Sequence, residues 1–131
     1  MPTNTVLSRS IAIDAAPAKV FAFVADPRNL PLWAPGAVKT VEPDGDLWIF
    51  HNADSERRIN VCTSSEHGTV DLLAADDPTS GVFTRVIPNG DGAEYQFTLF
   101  FPDGTPEDVV TAQSDVIDEE LATVRTHCEN Q

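Results

Sequence analysis

The sequence predicts an α+β fold in which a seven-stranded antiparallel sheet is covered by a long C-terminal helix. Apolar residues alternate with polar ones in the first strand, and turn signals then divide the stretch from Gly36 to Pro102 into six further strand-like segments. An amphipathic helical pattern occupies the end of the chain. Because the connections between successive strands are short, neighbouring strands are expected to be antiparallel. The 131 residues are enough for one domain, predicted to span residues 1–131.

The N-terminal elements are marked by period-two apolar residues and by prolines. The first strand is predicted at Thr5–Ile13. Pro17 suits the first turn of a helix. Asp26-Pro27 starts a second, short helix, since Asp caps free backbone N–H groups and Pro takes the first helical position. With the later elements, these signals predict the order β-α-α-β6-α.

Six strands follow, separated by Asp-Gly, Asn-Gly and other turn sequences. They are predicted at Ala37–Glu42, Leu47–His51, Arg57–Thr63, Thr69–Ala75, Val82–Ile87 and Ala93–Phe101. The last strand has the clearest pattern, because Tyr95, Phe97 and Leu99 share one face and polar residues occupy the other.

The closing helix is expected to begin after Thr105, whose hydroxyl can cap it, with Pro106 in its first turn, and to end at about Glu129. Six apolar residues fall within one arc of about 140° around the helix axis. They are Val109, Val110, Val116, Ile117, Leu121 and Val124. This arc is expected to be covered by the sheet.

The charge balance limits the classes of partner. Eight Lys and Arg against 21 Asp and Glu give a formal net charge of −13. A phosphate backbone or an acidic lipid surface would be repelled, so we expect no nucleic-acid partner and no membrane insertion. The start of the chain lacks the positive and apolar regions of a secretory leader, and no apolar run approaches the ~18 residues that span a bilayer. The two cysteines lack CxxC spacing and could be paired or free; two reduced thiols in a cytoplasmic protein is the simpler interpretation.

Three polar residues interrupt the apolar arc of the closing helix. Gln113, Glu120 and His127 are spaced seven apart and lie within the arc. Successive members are roughly 10 Å apart along the axis, too far to share one metal ion. The spacing is compatible with polar contacts along an elongated apolar ligand, and the alternative is that the three side chains fringe the arc in solvent.

Glu120 and Tyr95 are the candidate catalytic residues. Glu120 is the one acidic residue within the arc, and burial would raise its pKa into the range of a general acid or base. A basic partner such as Arg85 or Arg9 would instead hold it ionised. Tyr95 lies on an otherwise apolar strand face, where its hydroxyl could orient a ligand or donate a proton, or simply reach a backbone carbonyl.

No motif indicates a metal ion or a cofactor. The three histidines show no HxxxH or HExxH spacing, and the cysteines are far apart in sequence. The glycine-rich signatures of dinucleotide and phosphate binding are missing, as is the GxSxG turn of the hydrolases.

The N-terminal segments SIAIDAAPAKVF (Ser10–Phe21) and DPRNLPLWAPG (Asp26–Gly36) resemble the opening of START-like proteins, also called the SRPBCC superfamily. The segment ELATVR (Glu120–Arg125) is similar to the family's closing helix. The resemblance implies a helix-grip fold, in which the seven-stranded sheet is curved around the last helix and leaves a cavity between them. Family members include polyketide cyclases or dehydratases, pollen-allergen-like carriers and lipid-transfer domains.

The implied cavity suggests further ligand-binding candidates. Trp48 and Phe50 alternate on one strand, and Arg85 lies between Phe83 and Ile87, where it would face either the cavity or solvent. Trp33 belongs to the short-helix signature and is interpreted as a packing residue. The remaining candidates come from the apolar faces of the last strand and helix: Phe97, Leu99, Gln113, Val116, Ile117 and Val124.

The function implied is binding of a hydrophobic small molecule, polyketide- or lipid-like, by a monomer or homodimer. One alternative is a polyketide aromatase/cyclase or dehydratase that uses Glu120 and Tyr95 as acid/base groups. A further alternative is an interaction protein that uses the fold as a surface. The fold by itself does not decide among these classes.

Overall fold

The computed structural model describes residues 3–130. Its elements follow the predicted order β-α-α-β6-α, which confirms the fold class. They are β1 (Thr5–Ile13), α1 (Pro17–Val24), a 3-10 turn (Pro27–Asn29), α2 (Leu30–Trp33), β2 (Thr40–Asp44), β3 (Leu47–Asn52), β4 (Ser55–Ser64), β5 (Thr69–Ala74), β6 (Asp77–Asn89), β7 (Gly92–Phe101) and α3 (Glu107–Glu129).

The seven strands form one antiparallel sheet in the order β1-β7-β6-β5-β4-β3-β2. Strands β2 to β7 form a meander, and β1 adds to the free edge of β7. Helix α3 follows β7 and packs against β1, α1 and α2. The sheet curves around α3. Its inner, concave face is directed towards the helix, and its outer face is directed towards solvent.

Local turn chemistry sets the hairpins as predicted. Gly45 follows β2 with a φ of 61°, and Gly90 follows β6 with a φ of 60°. This left-handed conformation is the one that glycine adopts without a steric cost. The Asp26 side chain accepts a hydrogen bond from the backbone N–H of Arg28 at 3.0 Å, which confirms the predicted cap of the second helical segment.

Several boundaries differ from the prediction, and three of the differences have a clear structural cause. Strand β2 begins at Thr40, because the chain after α2 forms a turn in which the Val38 N–H donates to the Ala34 carbonyl at 2.9 Å. Strand β6 extends back to Asp77, across a predicted turn, and a bulge between Leu73 and Ala74 of β5 accommodates it. The Thr105 hydroxyl donates to the Pro102 carbonyl and caps nothing, and α3 begins at Glu107.

The core lies between the inner face of the sheet and one stripe of α3. Residues at alternate positions of β7 are buried on this face, and Tyr95 is 1% exposed. The buried stripe of α3 consists of Ser114, Ile117, Glu120, Leu121, Val124 and Cys128. Val109 and Val116 are exposed, so the predicted apolar arc is wrong at those two positions. The helix is rotated such that Ser114, bonded by the Arg9 guanidinium of β1, takes a buried position instead.

Among the described helices, none has the length and apolar character needed to cross a membrane.

Candidate functional site

An apolar cavity of about 150 Å³ lies beneath α2, between the inner face of the sheet and α3. Its wall combines the C-terminal part of the short helical region with five neighbouring strands, β3 to β7, and one side chain from α3. The lining residues are Leu30, Trp33, Ala34, Ala37, Val38, Phe50, Arg57, Ile59, Leu72, Ala74, Ser80, Gly81, Val82, Phe97 and Glu120. A cavity of this volume and an apolar wall holds a molecule of about the size of benzene.

Strand register explains why these side chains meet. Residues directly opposite each other in an antiparallel pair project to the same side of the sheet. Phe50 of β3 is opposite Arg57 of β4, and Leu72 of β5 is opposite Val82 of β6. The period-two pattern of each strand therefore brings one line of mostly apolar side chains into the cavity wall.

Gly81 allows β6 to approach β5 closely at the cavity. A Cβ atom at Gly81 would lie 2.1 Å from the carbonyl oxygen of Leu72 and 2.9 Å from the Cα of Leu73. Both are backbone atoms, which cannot rotate away as a side chain can. A glycine is thus required where β6 passes the bulge of β5.

Glu120 is the one residue that α3 contributes to the cavity wall. It is 7% exposed, and its carboxyl has no hydrogen-bond or ion-pair partner among residues 3–130. Burial raises the pKa of Glu120 from the ordinary 4.5 to about 7. Near neutral pH this carboxyl therefore exists in both protonation states, and it can donate or accept a proton inside the cavity.

Trp33 supplies a second polar group without a partner. The residue is 3% exposed and lines the cavity from α2. Its indole Nε1 is the single side-chain nitrogen or oxygen in the described part of the chain that is fully enclosed and makes no hydrogen bond. An unsatisfied buried N–H costs roughly 1–3 kcal/mol.

Tyr95 is placed beside this site but outside its wall. Its ring meets the Trp33 indole edge-on, with centroids 6.3 Å apart and planes at 85°. The Tyr95 hydroxyl is hydrogen-bonded to the Thr84 side chain, whose own hydroxyl donates to the Val70 carbonyl at 2.7 Å. Burial raises the pKa of Tyr95, and the nearby Glu120 carboxylate raises it further. The hydroxyl is thus engaged by Thr84, while the Tyr95 ring packs against Trp33.

Arg57 is the cationic residue of the cavity wall, and it was missed in the sequence interpretation. It is exposed, whereas Phe50 and Ile59 beside it are buried, so it lies where the cavity meets solvent. The sequence does contain a signal for Arg57. It alternates with Ile59 and Val61, so all three residues lie on the same face of β4. Trp33 was recognised in the sequence as a packing residue, but the lack of a partner for its N–H depends on the tertiary structure.

The structure brings three of the predicted site residues together in the cavity: Phe50, Phe97 and Glu120. Leu99 lies on the same face as Phe97 but further along β7, opposite Leu7. Ile117 and Val124 are 2% and 0% exposed and pack in the core between α3 and the sheet. None of these three residues lines the cavity.

The other predicted residues lie elsewhere. Trp48 is half-buried in a separate surface groove, with the Arg28 guanidinium 5.8 Å from its ring centroid. Gln113 is half-buried outside the cavity wall.

Two side chains point away from the cavity, contrary to expectation. Arg85 is exposed on the outer face of the sheet, since it pairs with Gln96 and Thr69 while its neighbours Thr84 and Val86 face inward. Val116 is 40% exposed on the solvent side of α3.

His127 lies at the far end of α3, where its ring stacks on Phe23 of α1 with centroids 5.2 Å apart. Residues 3–130 contain no group of three or more His, Cys, Asp or Glu side chains that could hold a metal ion.

Solved structures define the class of fold. The chain is similar to a START superfamily protein from Mycobacterium smegmatis (TM-score 0.72, 11% identity, covering 95% of this chain and 97% of that one). It is also similar to the protein XoxI from Bacillus cereus (TM-score 0.75, 12% identity, 95% of each chain). A third similar structure is the Aha1 dimer from Colwellia psychrerythraea (TM-score 0.74, 14% identity, 95% of this chain and 96% of that one). The chain therefore has the START-like helix-grip fold.

Sequence comparison identifies the family within that class. Residues 4–129 match the family described as "Polyketide cyclase / dehydrase and lipid transport". The match covers nearly the whole chain, and the protein belongs to this family. No curated protein matches the sequence.

Proposed function

We propose that this protein binds a small, mainly apolar molecule in the cavity beneath α2, with Trp33 and Glu120 providing its polar contacts. The observation that carries the proposal is that both polar groups are buried in an apolar wall without a partner among the described residues. Ligand sites typically combine an apolar wall with a few polar groups that fix orientation. Membership of a family associated with polyketides and lipid transport supports the same assignment.

The volume of the cavity limits the size of the ligand. About 150 Å³ accommodates one aromatic ring or a short alkyl chain, and any larger part of a ligand has to extend past Arg57 into solvent. An oxygen atom on the enclosed part would accept a hydrogen bond from the Trp33 N–H. The protonated Glu120 carboxyl could donate a second one.

Acetophenone is a suitable probe, because it joins one ring to one carbonyl acceptor. In the ¹⁵N-labelled protein, we expect its addition to shift the indole N–H resonance of Trp33 downfield as the hydrogen bond forms. The indole of Trp48, which lies outside the cavity, serves as the internal control.

A pair of variants tests whether acetophenone binds in the cavity. Val82→Phe places a ring in the cavity and is expected to weaken acetophenone binding at least about tenfold, by steric exclusion. Ile87→Phe adds a ring to the same strand on the outer face and should leave the affinity unchanged. Equal affinities in the two variants, or a shift at Trp48 without one at Trp33, would disprove the assignment.

Catalysis by Glu120 is a second candidate function, favoured by the raised pKa of this carboxyl. In its ionised form, Glu120 would remove an α-proton from a bound ketone to give an enolate, and the protonated carboxyl would return a proton to the same carbon. Tyr95 is not a partner in this step, since its hydroxyl is engaged by Thr84.

The α-protons of acetophenone report this reaction directly by their exchange in D₂O, measured by NMR. Catalysis predicts an exchange rate above that of buffer in the wild type and a loss of the excess in Glu120→Gln, with acetophenone still bound. An excess rate that survives in Glu120→Gln would assign it to another group. No excess rate in the wild type would leave ligand binding as the function.

A further inference from the structure

Arg57 lies at the mouth of the cavity, on a wall that is mostly apolar but also includes Ser80 and Glu120. Its Cα is directly opposite that of Phe50, and Ile59 follows two residues later on the same face of β4. Both neighbours are buried, whereas Arg57 is exposed. An arginine in such a position covers apolar surface with its methylene stem and keeps its guanidinium in contact with water.

The guanidinium of Arg57 has no partner within residues 3–130. Other arginines of the chain are paired with carboxylates: Arg28 with Asp26 at 3.1 Å and Arg58 with Asp44 at 2.9 Å. The carboxylate of Asp77, in the adjacent β5–β6 hairpin, is engaged by the N–H and hydroxyl of Thr79. Of the arginines without an ion pair in the described part of the chain, Arg57 is the one that lines the cavity.

This lack of a partner is notable in so acidic a protein. The chain has 21 acidic residues against 8 Lys and Arg, yet none of the described carboxylates is paired with Arg57. A guanidinium presents N–H donors in a planar fork that matches a carboxylate, and it stays charged at any pH of interest. Salt screens the exposed carboxylates around it over a Debye length of about 8 Å at physiological ionic strength, which weakens their repulsion of an approaching anion.

We infer that the ligand is a small monocarboxylate, whose carboxylate pairs with Arg57 at the cavity mouth while its single ring or short alkyl chain, with the oxygen substituent that contacts Trp33 and Glu120, occupies the interior. The inference rests on the proposed function and adds the chemical class of the ligand. Such a ligand has two parts: a mainly apolar part that fits about 150 Å³ and a charged part that remains at the solvent boundary. A carboxylate held there keeps part of its hydration, so its desolvation cost is small.

Three probes of similar shape separate charge from size: phenylacetate, neutral acetophenone and cationic benzylamine. Their dissociation constants are to be measured by NMR titration of the wild-type protein near physiological ionic strength. We expect phenylacetate to bind most tightly and benzylamine most weakly. In Arg57→Gln, the affinity for phenylacetate should fall about fivefold to tenfold, as for a partly exposed, charge-assisted contact. The affinity for acetophenone should stay within about twofold.

The neighbouring residue provides a matched control. Arg58→Gln removes the same charge from the same strand, but Arg58 lies on the outer face, paired with Asp44. It is expected to leave all three affinities within about twofold of the wild type. If Arg57→Gln and Arg58→Gln have equal effects on phenylacetate, or if phenylacetate binds no better than acetophenone, the carboxylate assignment is wrong.

That failure differs from failure of the proposed function. If acetophenone binds the wild type and is excluded by Val82→Phe, while the Arg57→Gln result is negative, the cavity is a ligand site for neutral molecules. If none of the three probes shifts the Trp33 indole resonance of the wild type, the cavity itself is not the ligand site, and both proposals are overturned.

Discussion

Glu120 and Tyr95 are both acids buried on the inner side of the sheet, but their surroundings differ. The Tyr95 hydroxyl belongs to a chain that runs through Thr84 to the Val70 carbonyl. Burial disfavours ionisation of this phenol and raises its pKa, and the hydrogen bond with Thr84 offsets only part of that effect. Glu120 has no such partner within the described residues, so its protonation is set by burial alone. At the residue scale, Tyr95 is therefore a structural group and Glu120 is the group that can exchange a proton.

The raised pKa of Glu120 makes the stability of the protein depend on pH. Between about pH 4.5 and 7 the folded state binds the proton more tightly than the unfolded chain. The free energy of unfolding therefore decreases as the pH rises through this window. The free-energy penalty of burying the ionised Glu120 carboxylate is absent well below pH 4.5 and complete above about pH 7. Allowing for solvent at the cavity, it amounts to roughly 2 kcal/mol.

Glu120→Gln removes this penalty, because the amide has nearly the same shape and no charge to bury. We expect the stability of the variant relative to wild type to be about 2 kcal/mol higher at about pH 8 than at about pH 5. Urea unfolding of both proteins at the two pH values measures the difference. Glu119→Gln, at an exposed position of the same helix, should show no such dependence. The same pH dependence in both variants would mean that the burial of Glu120 is not its cause.

At the scale of the element, the rotation of α3 about its axis decides which of its residues meet the sheet. The sequence has two adjacent apolar pairs, Val109-Val110 and Val116-Ile117, so an apolar arc can be drawn in more than one way. The fold buries Ile117 and leaves Val109 and Val116 largely exposed. Polar contacts agree with this rotation, since Arg9 of β1 reaches Ser114 and Asp118 of α3.

Two alanine substitutions test the rotation. Ile117→Ala leaves a cavity in the core and is expected to lower the free energy of unfolding by about 3 kcal/mol. Val116→Ala, one position earlier, should change it by less than about 0.5 kcal/mol, since its side chain is exposed and alanine favours the helix. Chemical denaturation gives both values. A larger loss at Val116 than at Ile117 would place the buried stripe on the other side of α3.

At the scale of the whole molecule, the dominant feature is the net charge of −13. The acidic residues lie mainly on turns and on the solvent side of α3, as at Asp76, Asp115 and Glu119, all of which are exposed. Repulsion among like charges is stronger in the compact state than in the expanded one, and salt weakens it. The acidic surface thus costs stability without taking part in the cavity.

Sodium chloride is therefore expected to stabilise the protein. Between about 20 mM and about 200 mM salt, the Tm should rise by roughly 3–5 °C, as screening relieves the repulsion. Calorimetry or circular dichroism measures this shift. The double variant Asp115→Asn/Glu119→Gln, which removes two negative charges from the outer side of α3, should start from a higher Tm and respond less to salt. A Tm that falls with added salt would show that favourable ion pairs outweigh the repulsion.

Local patterns predicted the sheet well because each hairpin is decided within a few residues. Gly45 and Gly90 lie at positions of positive φ, and short connections leave few choices of partner for the strands that flank them. Boundaries failed where distant segments intervene, as in the turn that delays β2 and the bulge that lengthens β6. Helical periodicity correctly predicted that Glu120 lies on the side of α3 that faces the sheet. On β6, the alternation of residues did not decide whether Arg85 faces the cavity or solvent.

The sequence by itself determined the order of elements, the antiparallel meander and the acidic surface, since these follow from turn chemistry, periodicity and composition. Only the tertiary structure decided how α3 is rotated, and which polar groups of the cavity wall have a partner. Whether Trp33, Arg57 and Glu120 are satisfied depends on atoms from elements far apart in the chain. No local pattern records those distances, because they arise when the sheet, α2 and α3 close around one space.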